Sequence, residues 1–156
     1  MNEWKQFENG HIASLDTRSK YSDYLQTLPW DYFATITFRR PWRDSIRAHE
    51  AVWPVLHDCG ITRAFLAVER HKYPSYDCHV HGLLAGYGPE WNGPKPDIWK
   101  MWENCFHRFG RNTIEDIRNP GQVAEYCSKY VIKRLSEYGF YGQKTFWHDK
   151  NLTPGV

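Results

Sequence analysis

The sequence predicts an α+β fold, in which helices pack on one face of an antiparallel β-sheet. Segments rich in β-branched and aromatic residues alternate with segments of helical periodicity, in the order strand, helix, strand, strand, helix, strand, helix. A short loop joins the second and third predicted strands, which favours an antiparallel hairpin. The chain of 156 residues suits a single domain with a real core. This order of elements is related to the ferredoxin-like arrangement.

The composition is that of a globular protein, with 41% hydrophobic and 17% aromatic residues. The net charge of +2 excludes a polybasic nucleic-acid arm, so any nucleic-acid site must arise from local clustering. The four cysteines form no C-x-x-C pair, which predicts a reduced, cytoplasmic protein rather than a disulfide scaffold or a zinc ribbon. Neither a signal peptide nor a membrane span is expected.

The first elements follow from local patterns. Residues 1–30 are polar with scattered aromatics and predict an irregular arm, with a helical turn around residues 21–28. Residues 32–38 alternate apolar side chains on one face and predict the first strand. Residues 42–59 have helical spacing and end before a glycine, so they predict a helix, which Pro54 should kink.

The remaining elements complete the predicted fold. Strands are expected at residues 64–69 and at Cys78–Ala85, and a weaker strand at residues 113–117. Helices are expected at residues 97–109 and 122–138, because a glycine follows each of them. The tail, residues 140–156, has no clear periodicity.

Two histidines separated by one apolar residue stand at the head of the third strand. Because strand side chains alternate between faces, His79 and His81 point the same way. Hairpin pairing would bring Glu69 close to His79, and His71 is a weaker alternative to Glu69. A carboxylate and two imidazoles can hold a divalent cation, here Mn²⁺ or Mg²⁺, although Zn²⁺ or Ni²⁺ could bind in vitro. The competing interpretation is a half-exposed strand that happens to carry two histidines.

The last predicted helix carries a second group of chemically active side chains. On a helical wheel Tyr126, Lys129, Tyr130 and Lys133 form one stripe, opposite an apolar stripe. A phenolic oxygen can attack phosphorus, and a nearby lysine can favour phenolate and balance the charge of a phosphate. A cation held by the histidines could polarise the same phosphate. The alternative is an ordinary solvated helix face.

Three segments, taken in order, resemble the motifs of the HUH endonuclease family. Residues 33–38, Phe-Ala-Thr-Ile-Thr-Phe, resemble its first motif, and His79-Val80-His81 is its histidine–hydrophobic–histidine motif. Tyr126-Cys127-Ser128-Lys129 is similar to the Tyr-x-x-Lys motif of the rolling-circle replication initiators (Rep proteins). The repeat of this pattern at Tyr130 and Lys133 is similar to the two-tyrosine initiators of small single-stranded-DNA phages. The resemblance spans residues 31–133.

This resemblance implies a single nuclease domain over residues 1–156, with a five-stranded antiparallel sheet and a metal site on its open face. It implies site-specific nicking and joining of single-stranded DNA at a replication origin. Tyr126, the primary nucleophile in this interpretation, would become linked to the 5′-phosphate and leave a free 3′-hydroxyl. Tyr130 would be a second nucleophile or a structural aromatic residue. Either a host helicase is the partner, or the chain is an excised domain of a plasmid, phage or virus protein.

Other functions use the same residues. An HUH transposase or relaxase would transfer strands with this site, a metal-dependent hydrolase would activate water, and a non-catalytic module would only bind single-stranded DNA. The Tyr-x-x-Lys spacing favours the initiator over the transposase. Basic side chains near the motifs are the expected contacts to the DNA backbone: Arg39, Arg40, Lys129, Lys133 and Arg134.

Overall fold

The fold is built on one five-stranded antiparallel sheet. A computed structural model of the chain describes residues 14–40, 45–71, 77–86, 97–133, 135 and 137–142. The sheet has the order β4-β1-β3-β2-β5. Its strands are β1 (Tyr32–Ile36), β2 (Arg63–Arg70), β3 (Cys78–Ala85), β4 (Asn112–Asp116) and β5 (Glu137–Gly142).

Within the described residues, four helices and one π-helical segment accompany the sheet. They are α1 (Leu15–Thr27), α2 (Ser45–Asp58), α3 (Ile98–Arg108), α4 (Pro120–Cys127) and the π-helical segment Ser128–Ile132. The predicted α+β class and the antiparallel sheet are thus confirmed. In the described part of the chain, no helix is both long and apolar enough to cross a membrane.

The helices cover both faces of the sheet, whereas the sequence led us to expect them on one face. Leu66 and Leu84 belong to a core cluster with α2 and α3, while Phe65 and Leu83 belong to a second cluster with α1 and α4. Successive residues of β2 and β3 are therefore buried on opposite faces. A central strand that is apolar on both faces must be covered on both.

The N-terminal segment departs from the predicted irregular arm. Residues 15–27 form α1, which begins at Ser14, where the hydroxyl accepts a hydrogen bond from the Thr17 amide at 3.2 Å. Tyr21 and Leu25 are fully buried in the second core cluster. The helix is needed because the second face of the sheet requires an apolar cover. Residues 1–13 lie outside the described residues.

The predicted last helix is divided in the structure. It begins at Pro120 after the N-cap Asn119, passes into the π-helical segment and is not continued to residue 138. Residues 137–142 instead form β5, which pairs with β2. Alternate residues Tyr138 and Phe140 pack against the second core cluster, so burial overrides the helical spacing. Most of the tail, residues 143–156, lies outside the described residues.

Candidate metal and tyrosine site

The register of the central strands brings the predicted metal ligands together. β2 and β3 pair antiparallel, with Glu69 opposite His79 and Ala67 opposite His81. Thr35 of β1 lies opposite His81 on the other side of β3. Because paired residues share a face, all these side chains lie on the sheet face that α1, α4 and the π-helical segment cover. The predicted hairpin is confirmed in this register.

The His81 imidazole is held by hydrogen bonds at both nitrogens. Its Nε2 lies 2.8 Å from Glu69 Oε1, and its Nδ1 lies 3.1 Å from Thr35 Oγ1. A carboxylate only accepts, so Nε2 donates to Glu69, and in the neutral ring the Thr35 hydroxyl donates to Nδ1. The hydrogen bond from His81 is the main cause of the lowered pKa of Glu69. The ring is thereby fixed in orientation, with Nε2 toward the carboxylate.

A second pair of histidines lies beside the same carboxylate. His71 Nε2 and His79 Nδ1 are 3.0 Å apart, and the ring centroids are 4.2 Å apart. One ligand atom each from Glu69, His71 and His79 lies within 4.8 Å of the others, so these three residues could hold a metal ion. Glu69 therefore contacts His81 and belongs to this triad as well. His71 joins the carboxylate here, rather than replacing it.

The surroundings of His79 and Glu69 favour the protonation states that bind cations. Partial burial is the main cause of the lowered pKa of His79, and the nearby His71 and His81 lower it further. The lowered pKa of Glu69 favours its carboxylate. Neutral imidazole and ionised carboxylate are the forms that coordinate metal ions. His71 is positioned by its backbone N–H, which donates to the Asp77 carbonyl at 2.7 Å and closes the base of the hairpin loop.

Tyr130 is the tyrosine that faces the histidines. Its ring stacks on the His81 imidazole, with centroids 4.1 Å apart and planes 15° apart. The residue is half-buried, and its pKa is raised, first by burial and then by the charge of Glu69. Tyr130 lies in the π-helical segment, where the Lys133 amide donates to the Ser128 carbonyl at 3.2 Å. Such segments are frequent at functional sites.

Tyr126 has a different environment from the one that the helical wheel predicted. It is only 5% exposed, and it belongs to the second core cluster rather than to a solvated stripe. Its hydroxyl donates to the backbone carbonyl of His81 at 2.7 Å, and its ring stacks on Phe33. Burial raises its pKa well above the usual value for tyrosine. The prediction failed because the buried stripe of α4 is wide enough to include the neighbours Tyr126 and Cys127.

The predicted basic residues are distributed unevenly around the site. Lys129 is exposed beside Tyr130 and forms an ion pair with Glu125 at 3.6 Å. The Arg39 guanidinium instead donates to the carbonyls of Phe106 and His107 at the end of α3, and α3 packs on the opposite face of the sheet. Arg40 and Lys133 are exposed, and Arg134 lies outside the described residues. Lys129 is thus the predicted cation that lines the site.

Two grooves meet at Tyr130 and Lys129. The first, of about 270 Å³, is lined by Glu69, His71 and neighbouring residues of β2. The second, of about 240 Å³, is lined by His81, residues of β1 and β4, and α4. Tyr130 therefore lines both grooves, and His81 connects the candidate metal ligands to the second, polar groove. Sequence reasoning missed the second groove and Thr35, although the alternation of β1 could have placed Thr35 on this face.

Comparison with known protein families, curated protein sequences and solved structures gave no match.

Proposed function

We propose that this protein is a metal-dependent HUH-type endonuclease, which nicks and rejoins single-stranded DNA through a covalent 5′-phosphotyrosine to initiate rolling-circle replication. One observation carries the proposal. Tyr130 stacks on His81 with ring centroids 4.1 Å apart, and His81 contacts Glu69 at 2.8 Å. A nucleophile, a carboxylate and three imidazoles thus share one face of the sheet. The order of the three motifs in the sequence supports the same family.

Glu69, His79 and His81 would hold the cation, with His71 as a further ligand. Binding through His81 Nε2 would move its proton to Nδ1, which would then donate to the Thr35 hydroxyl. The donor set fits Mn²⁺ or Mg²⁺, because carboxylate oxygen suits both ions and imidazole suits transition metals. The lowered pKa values of Glu69 and His79 keep both groups in their coordinating forms. The cation would supply Lewis-acid polarisation of the scissile phosphate. Thr35 would act through His81, since its hydroxyl fixes the ring that carries Nε2.

Tyr130, rather than Tyr126, is the primary nucleophile in this proposal. The phenolic oxygen forms a bond to phosphorus, the phenolic proton is lost, and the bond to the 3′-oxygen breaks so that this oxygen leaves as a hydroxyl after it gains a proton. Rejoining is the reverse transfer to a 3′-hydroxyl. Tyr126 is buried, and its hydroxyl is held by the His81 carbonyl, so it acts as a positioning residue.

Lys129 supplies positive charge beside Tyr130. Its side chain is 61% exposed and paired with Glu125 across one turn, an arrangement worth little in water. It can therefore leave Glu125 at small cost and contact a phosphate. A cation near the phenol stabilises phenolate and offsets the raised pKa of Tyr130. This proposal does not require both tyrosines to be nucleophiles.

The substrate is unpaired DNA, because a phosphate must reach a site on the sheet between two grooves, where Tyr130 offers a stacking surface. A host helicase would then be the partner that opens the duplex. A transposase or relaxase would use the same chemistry, and an origin-like target separates the initiator from both. A module that only binds single-stranded DNA would form no covalent product.

Covalent capture tests the proposal directly. The protein is incubated with a pool of single-stranded oligonucleotides and Mn²⁺, and SDS-stable adducts are measured by gel and mass spectrometry. We expect an adduct that maps to Tyr130 and that disappears in excess EDTA. Tyr138→Phe is the matched control, because Tyr138 is also partly buried but donates to Tyr21 on α1, away from the histidines. Cleavage without any adduct would instead support a hydrolase that activates water.

A further inference from the structure

We propose that the groove between Tyr130 and β4 holds the base next to the scissile phosphate, and that it selects cytosine or adenine over thymine. This inference rests on the proposed nuclease function. The groove has a volume of about 240 Å³ and opens between β1, β4 and α4. That is below the roughly 300–1,000 Å³ of pockets for drug-sized ligands, so it suits a single base.

Aromatic rings form the wall of this groove. Tyr130 and Tyr126 have ring centroids 5.0 Å apart, and Phe33 stacks on Tyr126 at 6.0 Å. All three residues line the groove, in which the partly exposed Phe33 and Tyr130 offer ring surface and the buried Tyr126 packs behind them. Unpaired bases bind proteins chiefly by stacking on aromatic side chains, while their edges form hydrogen bonds. The wall also begins at the proposed nucleophile, so a base stacked here belongs to a nucleotide beside the phosphate that Tyr130 attacks.

The polar rim of the groove combines acceptors with a fixed donor. Glu115 of β4 and Glu125 of α4 both line it, and both residues are exposed. Gln122 lines it too, and its amide oxygen accepts from the backbone N–H groups of Arg118 at 2.6 Å and Asn119 at 3.3 Å. Two N–H donors can only face the oxygen of an amide, so the orientation of Gln122 is determined and its NH₂ group is the remaining donor.

This rim matches some bases better than others. Cytosine and adenine carry an exocyclic amine beside a ring nitrogen that accepts, so the amine can donate to a carboxylate while Gln122 donates to the ring. Guanine has an amine beside a ring N–H, so both can donate to one carboxylate, but the ring N–H leaves no acceptor there for the Gln122 amide. Thymine carries carbonyl oxygens in place of the amine, and carboxylates repel them. Glu115 and Glu125 are exposed to solvent, so water can satisfy them and we expect base discrimination of about tenfold rather than more.

The charge of the groove determines which part of the nucleotide enters it. Glu115 and Glu125 line it with Lys129 and His81, and Lys129 already pairs with Glu125 at 3.6 Å, so the Glu115 carboxylate is left without a cation partner among these residues. A phosphate is repelled by this set, whereas a neutral base with donor groups is attracted. The phosphate is therefore left on the other side of Tyr130, beside Glu69 and the histidines, if a cation neutralises that carboxylate. The two grooves thus separate base from phosphate.

A binding experiment tests base selection without cleavage. The four 2′-deoxynucleoside 5′-monophosphates are titrated separately into the protein with Mg²⁺, which is diamagnetic, and amide shifts are followed by NMR. We expect dCMP and dAMP to bind about tenfold more tightly than dTMP, with dGMP between them. The double variant Glu115→Gln, Glu125→Gln should reduce this difference to within about twofold, because a carboxamide can also donate to thymine. Glu103→Gln, on the exposed side of α3, should change nothing.

Sequencing of covalent products separates this inference from the proposed function. Adducts formed with a randomised oligonucleotide pool are sequenced at the nucleotides on either side of the junction. Adducts with an adenine or cytosine bias at one flanking position, lost in the double variant, support both proposals. Adducts without such bias, or with a thymine bias, overturn the groove assignment and leave the nuclease intact. Selective mononucleotide binding without any adduct overturns the nuclease and leaves a base-binding groove. Equal binding of all four mononucleotides overturns the groove.

Discussion

The ring of Tyr130 lies nearly parallel to the imidazole of His81, with centroids 4.1 Å apart. The same imidazole donates to Glu69 and contacts Thr35, so the tyrosine is packed on a ring that is already fixed. The π-helical segment places Tyr130 there, while Tyr126 of the preceding helix is directed into the core. The two tyrosines therefore have separate roles, although they are one helical turn apart in the sequence.

The first prediction concerns these two tyrosines. Tyr130→Phe should abolish the covalent adduct, because it removes the only phenol that stacks on His81 among the described residues. Tyr126→Phe should keep the adduct but lower the free energy of unfolding by about 1 kcal/mol, since the buried His81 carbonyl loses its hydrogen bond. Adduct mapping by mass spectrometry and urea unfolding measure both effects. An adduct on Tyr126 in the Tyr130→Phe variant would restore the order of nucleophiles that the sequence suggested.

The second prediction concerns the metal ligands. Glu69→Gln should cause the largest loss of Mn²⁺ affinity, because Glu69 contacts His81 and also belongs to the triad with His71 and His79. His81→Ala should abolish nicking and weaken metal binding without unfolding the chain. Isothermal titration calorimetry and an adduct assay provide the readouts.

His71 decides between the two ligand sets. If His71→Ala weakens Mn²⁺ binding as strongly as His81→Ala, the cation lies between His71 and His79. If only His81→Ala does so, the set is Glu69, His79 and His81. His107→Ala is the control, because His107 is exposed on α3 and pairs only loosely with Glu103, at 3.9 Å. Full nicking activity of His81→Ala, or in excess EDTA, would contradict the metal assignment.

The third prediction concerns pH. The pKa of His79 is lowered from 6.5, mainly by burial, so His79 is protonated only at a pH below 6.5. Protons compete with a metal ion for the imidazole only in that more acidic range. Without metal, the unfolded chain binds the proton more readily than the folded chain in that window. The stabilising contribution of neutral His79 is therefore present above pH 6.5 and is lost as pH falls through the lowered pKa. Glu69 behaves in the same direction, below its ordinary pKa of 4.5.

Two measurements check the pH prediction. Mn²⁺ affinity, measured between pH 5 and 7.5, should decline as the pH falls, with a midpoint below the ordinary imidazole pKa of 6.5. The unfolding free energy of the metal-free protein should fall over the same window, and His79→Gln should reduce this fall. A midpoint of Mn²⁺ binding above pH 7 would show that another group controls the site.

The arrangement of the candidate metal ligands was largely predictable from the sequence because it depends on local geometry. Strand alternation fixed the common face of His79 and His81, and the short hairpin set Glu69 opposite His79. The environment of Tyr126 was not predictable in this way. A helical wheel shows only how apolar residues are spaced along one helix. It does not include contacts with other elements, such as the hydrogen bond from the Tyr126 hydroxyl to the His81 carbonyl on a neighbouring strand. The π-helical segment also has more residues per turn than an α-helix, so side chains after Cys127 point in directions that an α-helical wheel does not give.

The outer parts of the fold depend on long-range burial. The helix α1 has few apolar residues, so its sequence predicted only one helical turn. In the structure Tyr21 and Leu25 are fully buried against the sheet. The strand β5 follows the π-helical segment and pairs with β2, far away in the sequence. Both elements form because β2 is apolar on both faces. Residue patterns within either segment do not contain that information.

The last prediction concerns Thr35, which contacts no proposed ligand except His81. Thr35→Val preserves the β-branched shape and removes the hydroxyl that lies 3.1 Å from His81 Nδ1. Residues that orient metal-binding histidines typically contribute about 10–100-fold to metal affinity or activity. We expect a loss of that size in Mn²⁺ affinity and in the rate of adduct formation.

Thr113 provides the control for this variant. It lies directly opposite Thr35 on β4, on the same face of the sheet, but it is exposed. Thr113→Val makes the same chemical change one strand away from His81, and it should leave metal binding unchanged. Thr35→Ser should restore most of the affinity, because it returns the hydroxyl without the methyl group. Equal Mn²⁺ affinity of Thr35→Val and Thr113→Val, or no recovery of affinity in Thr35→Ser, would contradict a positioning role for the hydroxyl. The Thr35 methyl group would then contribute only packing.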